Sequence, residues 1–290
     1  MPALPPNLGL GPVHLVVRDL ERSLDWYQGP LALQLHRRDQ SEAELGDGRR
    51  TVVVLHEDPE ARPAASHAGL YHYALLYPSR EELARAIVRV ASARTPIQGL
   101  SDHGTHEALY LPDPDGNGLE LAADRPPGHW PSDMYAHGPA PLDLDNLLAT
   151  VADEPRSPKV GQGLRVGHMH LHVGDIDQGL AFYRDTVGFE QQANLGTAAF
   201  VSAGGYHHHL GFNVWKGRGV GEAPPHTVGL LRWTIELPGA RDVEAVRARL
   251  RGAGAPLQEV EGGFETRDPW NTALVFRSAN GFDSVAGDSE

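Results

Sequence analysis

Residues 10–33, LGPVHLVVRDLERSLDWYQGPLAL, and residues 166–189, VGHMHLHVGDIDQGLAFYRDTVGF, are two versions of one pattern. Each opens with a strand of alternating character and continues through an Asp suited to cap a helix. Apolar residues then recur at helical spacing. Leu20, Leu24 and Tyr27 correspond to Ile176, Leu180 and Tyr183, all 156 positions apart, and His14 falls on His170 at the same offset. A second pair, AGLYHYALLYPSREELARAI (68–87) and VGLLRWTIELPGARDVEAVRARL (228–250), repeats strand, Pro-containing turn and amphipathic helix. Its offset of 160 sets His72 opposite Arg232. Two different segments repeating in the same order are a strong sign of internal duplication.

The chain therefore reads as an α+β protein of four βαβββ modules, paired into two domains with cupped, mixed or antiparallel sheets. The expected units are an N-terminal domain over 1–125 and a C-terminal domain over 161–290. Between them, 126–160 carries seven prolines and one short helical candidate near 142–151, a linker composition.

Composition narrows the function. With 38 acidic against 25 basic residues in 290, the net charge is −13, which argues against a nucleic-acid or anionic-membrane partner. No apolar run approaches the roughly 20 residues of a membrane span. The segment MPALPPNLGLGPVHL lacks a basic-then-apolar secretory layout, so a cytoplasmic protein is expected. There is no cysteine, hence no thiolate chemistry, while His is abundant at 16.

The segment ALYLPDPDGNGLELAAD (108–124) holds the sharpest local signal. Strand alternation sends Glu120 to the face opposite Leu119 and Leu121. A carboxylate facing an enclosed space needs a partner, because an unpaired buried charge is costly. A metal ion would serve; Arg125 is the bland alternative.

These modules resemble the vicinal oxygen chelate superfamily, which includes glyoxalases, bleomycin-resistance proteins and type I extradiol dioxygenases. In that fold, ligands come from the first strands of two paired modules and the last strand of the second. The matching positions are His14 in VHLVV, His72 in LYHYALL and Glu120 in GNGLEL. The four-module length and HGTHEALYLPDPDGNGLEL are most similar to ring-cleaving enzymes of the catechol 2,3-dioxygenase type. The resemblance implies Fe(II), with Mn(II) an alternative, a small aromatic diol and O2 as substrates, and a homo-oligomer. Two imidazoles and a carboxylate leave positions open, as non-haem Fe(II) oxygen chemistry requires. It further implies proton-handling roles for His56, His103 and Tyr110, with His106 a less favoured neighbour at the surface.

The C-terminal half is richer in His yet poorer in ligands. His168, His170 and His172 share one strand face, and His207 and His209 share another. Arg232 stands where His72 would be, and Leu274 falls near the position of Glu120. A guanidinium cannot ligate a metal, so the N-terminal half is the expected metal site. A second site around His170, His209 and an acid such as Asp283 stays open. Two other functions compete: a glyoxalase-like metal-dependent isomerase or lyase, with His56 as a fourth ligand, and a metal-free drug-sequestering protein.

Overall fold

The computed structural model describes residues 3–155 and 157–279. Module one contains β1 (Gly9–Val17), α1 (Leu20–Gln28), β2 (Gln34–Arg38), β3 (Glu42–Gly46) and β4 (Thr51–Glu57). Module two contains β5 (Gly69–Leu76), α2 (Arg80–Ser92), β6 (Gly99–Asp102), β7 (His106–Pro112) and β8 (Gly118–Asp124). The Pro-rich segment carries the short α3 (Leu144–Ala149). Module three contains β9 (Arg165–His172), α4 (Ile176–Leu180), β10 (Glu190–Asn194), β11 (Ala198–Ser202) and β12 (Leu210–Asn213). Module four contains β13 (Gly229–Leu237), α5 (Ala240–Gly252), β14 (Leu257–Val260), β15 (Gly263–Arg267) and β16 (Ala273–Ser278).

Local chemistry sets these elements. Asp19 and Asp175 cap α1 and α4, accepting the backbone N–H of Arg22 at 3.0 Å and Gln178 at 2.8 Å. Leu20, Leu24 and Tyr27 then pack one face of α1 into the core, as Ile176, Leu180 and Tyr183 do in module three. A buried hydroxyl needs a partner. Tyr27 donates to Asp113 at 3.2 Å and Tyr183 to Asp268 at 2.8 Å, and each Asp organises a strand-joining turn. These bonds tie module one to module two, and module three to module four.

The sheets are paired differently. β1 runs antiparallel to β13, and β5 runs antiparallel to β9. Modules two and three therefore build one cup, and modules one and four the other. The two meet where Leu10 pairs with Val166. The segments 1–125 and 161–290 are units of the repeat, and each cup takes one module from either segment. The expectation that modules one and two share a cup is corrected by this pairing. Strand order across sequence-distant segments is a tertiary property, which short-range periodicity does not encode. Among the described residues, no helix is long and apolar enough to cross a membrane.

Candidate metal centre

Three strands converge on Glu120. In β8, Leu119 and Leu121 turn into the apolar core, and Glu120 faces the cup with 1% of its surface exposed. β5 lies parallel to β8, with Tyr73 beside Leu119, and antiparallel to β9, with Tyr73 opposite Met169. Tyr73 and Met169 are core residues, so alternation sends His72 and His168 to the side of Glu120. Gly118 allows the close approach of β8: a Cβ there would lie 2.1 Å from the carbonyl oxygen of Tyr71.

The resulting contacts are short. Glu120 Oε2 lies 3.1 Å from His72 Nε2 and 3.0 Å from His168 Nε2, and Oε1 lies 2.9 Å from His106 Nε2. Burial alone would raise the Glu120 pKa, but the surrounding imidazoles outweigh it and hold the carboxyl well below its usual range. His72 is lowered by burial, against the pull of Glu120, so it is neutral near pH 7.

This donor set fits a metal ion. Nε2 of His72 is buried and makes no directed hydrogen bond, although a carboxylate oxygen stands beside it. Ligands at ~2.0–2.2 Å from one ion meet side by side at about 3 Å, with lone pairs converging rather than N–H bonds pointing at each other. His72, His168 and Glu120 each offer one ligand atom, all within 4.8 Å of one another. His106 belongs to two further groupings, with His103 and Glu120 and with Asp124 and His207. Both its nitrogens are engaged, however: Nε2 with Glu120 and Nδ1 with Thr105 Oγ1 at 2.8 Å. His106 meets Oε1, whereas His72 and His168 face Oε2, a position suited to supporting the Glu120 carboxylate.

The residues expected from sequence divide clearly. His72 and Glu120 come together. His14 does not join them: it sits in the other cup, opposite Arg232 on β13, with Nδ1 2.9 Å from His56 Nε2. Burial, then Arg232, lowers the His14 pKa to about 3. His56 is likewise displaced from the expected site, its Nδ1 facing Glu42 at 3.0 Å. The cause for both is the pairing of β1 with β13. The imidazole that completes the cluster is His168, in the half whose metal triad reads as incomplete from sequence. Arg125 does not compete for Glu120, since it forms a two-pronged pair with Asp102 at 2.6 and 2.9 Å.

His103 and Tyr110 do reach the site. His103 Nε2 is 2.7 Å from the Tyr110 hydroxyl, and both line a cavity of about 520 Å3 in front of the cluster. Burial, then His106, lowers His103 to about 3; burial, then the Glu120 charge, raises Tyr110 well above its ordinary value. His106 is buried rather than at the surface.

The other histidines of β9 and those at 207–209 have hydrogen-bond or ring partners of their own. His170 Nε2 and His172 Nδ1 each lie 2.9 Å from the side chain of Asn213. His209 Nδ1 accepts the Ala203 N–H at 3.2 Å. Thus His170 and His209 have separate partners; Asp283 lies outside the described residues. His207 Nε2 is 3.1 Å from Asp124 Oδ1, and His207 Nδ1 is 2.9 Å from His208 Nδ1. His208 lies against His168, with ring centres 4.2 Å apart. The supposed linker also contributes, because Met134, Tyr135 and Pro139 line the cavity and the Tyr135 hydroxyl bonds the carbonyl of His207.

A paired-module cup with two imidazoles and a carboxylate at its base defines a class. The chain belongs to the glyoxalase/bleomycin resistance protein/dioxygenase superfamily, whose family model matches residues 9–121 and 165–282. It is 40% identical over 274 residues to the catechol-2,3-dioxygenase of Bacillus subtilis (strain 168), covering 92% of this chain and 95% of that one. Among solved structures it is similar to a putative dioxygenase from Bacillus subtilis subsp. subtilis str. 168. That match has a TM-score of 0.63 and 13% identity, over 93% of this chain and 84% of the other. Glyoxalase I from Zea mays is also similar, with a TM-score of 0.57 and 16% identity over 95% and 94%. The two structural likenesses establish the fold.

Proposed function

We propose that the chain is an Fe(II)-dependent extradiol dioxygenase that opens the ring of a catechol-like diol with O2. The observation that carries this reading is the convergence of His72 Nε2 and His168 Nε2 on Glu120 Oε2, at 3.1 and 3.0 Å. Two imidazoles and one carboxylate are the donor set of non-haem Fe(II) oxygenases, and the 40% identical relative bears the name catechol-2,3-dioxygenase. Mn(II) suits the same donors. Held by His72, His168 and Glu120, the ion would supply open positions for the diol oxygens and O2, and a path for electrons between them.

The chain's own side chains handle protons and solvent. Asp124 accepts from Nε2 of His207, which leaves a lone pair on His207 Nδ1. His208 must then donate from its own Nδ1, and its Nε2 keeps a lone pair. We assign that nitrogen to take a proton from a diol hydroxyl. Burial, then the neighbouring His168, holds the His208 pKa well below its ordinary value, so the ring begins neutral. Tyr110, bonded to His103, orients the reacting oxygens from the other side. A positioned imidazole contributes ~10²–10⁴-fold to such a proton transfer.

The isomerase or lyase reading requires a fourth protein ligand. The last strand of module three, β12, reads LGFN and offers neither Glu nor Gln, which favours the three-ligand site. Anaerobic loading with Fe(II), then catechol and oxygen, is the test. A yellow ring-fission product and a single iron per chain are expected. Bound iron without product would reject ring cleavage, and failure to retain any divalent ion would leave a metal-free binding protein.

A further inference from the structure

The cavity before Glu120 measures about 520 Å3, within the ~300–1,000 Å3 of pockets that enclose drug-sized ligands. An unsubstituted dihydroxybenzene would leave much of it to water. Two runs of aromatic rings lead outward from the metal cluster as walls that join at His170, whose ring lies 5.0 Å from Tyr71, 5.5 Å from Trp215 and 5.8 Å from Phe200. From His72 the ring of Tyr71 follows at 4.9 Å and Trp215 at 5.3 Å from Tyr71. From His208 the ring of Phe200 follows at 5.1 Å and Tyr135 at 5.3 Å from Phe200. Trp215, the outer end of the first wall, is exposed at 54%, and Leu195, which also lines the cavity, at 53%. Large exposed apolar side chains gathered at one cavity mouth mark a binding surface.

Charge in the cavity is equally specific. Neither Lys nor Arg lines it, and Glu120 is its lone carboxylate among the described residues. His137, at the rim, already faces Asp133 at 3.6 Å. A substrate carboxylate seated here would lose water without gaining a cation, which is unfavourable. Flat apolar groups instead gain contact with these rings.

We propose that the diol cleaved here carries a flat, uncharged aryl substituent, seated between the Tyr71–Trp215 wall and the Phe200–Tyr135 wall. This rests on the ring-cleavage reading of the same site and adds the substrate class to it. Trp215 and Leu195 are then specificity-determining residues at the outer end.

The experiment is anaerobic calorimetric titration of the Fe(II)-loaded full chain with catechol, phenylcatechol and carboxymethylcatechol, followed by turnover of each in oxygen. Filling an apolar subsite typically changes selectivity by ~10–200-fold. Phenylcatechol is expected to bind at least about tenfold more tightly than catechol, and carboxymethylcatechol more weakly than either. Trp215→Ala should collapse the phenylcatechol-to-catechol affinity ratio toward one; Leu195→Ala, at an exposed position, provides the same readout if the first variant does not fold. Equal affinities, preference for the carboxylated diol, or an unchanged ratio in the folded variants would overturn the assignment. Cleavage of catechol without aryl preference rejects the substituent and keeps the enzyme. Aryl preference in binding without cleavage of any diol keeps the subsite and rejects the chemistry.

Discussion

His106 Nε2 stands 2.9 Å from Oε1 of Glu120, on the side of the carboxylate turned away from His72 and His168. The carboxylate is thereby held from behind while Oε2 faces the two imidazoles. Outer partners of this kind typically tune metal affinity by about 10–100-fold. His106→Ala should weaken Fe(II) or Mn(II) binding by that factor, with His106→Gln retaining part of the loss. Competition against a chelator of known affinity measures it, and an unchanged Kd would show that Glu120 needs no such support.

The two halves of the chain make opposite predictions about which first-strand histidine matters. His168→Ala should abolish metal retention through desalting, whereas His14→Ala should leave the metal-to-protein ratio at its wild-type value. Elemental analysis of the two variants decides between the cups. Loss of metal in His14→Ala alone would restore the N-terminal assignment.

Asp124 sits one bond beyond His207 in the line leading to His208. Burial works to raise the Asp124 pKa, and the His207 bond outweighs it, so the carboxylate is charged. Asp124→Asn offers His207 an N–H donor and removes the preference for hydrogen on its Nε2, disturbing the lone pair on His208. An expected fall in kcat of ~10²–10⁴-fold, with metal content preserved, would be partly relieved in Asp124→Glu. Parallel loss of metal and activity would point to a structural role instead.

Acid should destabilise the metal-free protein early. Burial is the first cause lowering His14, His103 and His209 to about 3 and His172 and His207 to about 4. An unfolded histidine binds a proton near pH 6.5, so below that pH the unfolded chain holds more protons than the folded one. The stability contributed by these neutral rings is fully present above pH 6.5. It is lost as pH falls toward their folded values, at up to about 1.4 kcal/mol per pH unit for each ring. Urea midpoints at pH 7, 5.5 and 4.5 check this; a flat profile would mean that the rings are solvated in the fold.

The elements that could be read in sequence are those fixed by neighbours along the chain. Capping aspartates and apolar spacing gave away α1 and α4, and Glu120 was visible because alternation alone decides its face. His14 was misplaced because its site depends on which distant strand β1 joins. A clue was available: the offset of 156 sets His168 against Pro12, which cannot ligate, and His14 against His170, which instead bonds Asn213. His106 shares a face with Ala108 and Tyr110, and Tyr110 lies directly across from Glu120. Counting that alternation back from Tyr110 would have brought His106 indoors. The cavity role of Met134 and Tyr135 had no such signal, since a Pro-rich connection reads alike whether it spans open solvent or covers a site.

The marriage of β5 to β9 has a consequence during synthesis. Residues near 72 and 120 leave the ribosome well before the strand that holds His168, so the emerging first half must wait with one imidazole and one acid exposed to each other and to water. With His72, Glu120 and His168 as the proposed ligands, ion capture would start only once module three has docked, making metal uptake a reporter of late, long-range assembly. Pulse-labelled nascent chains truncated before residue 165 should carry no tightly held iron, and chains extended beyond module three should acquire it.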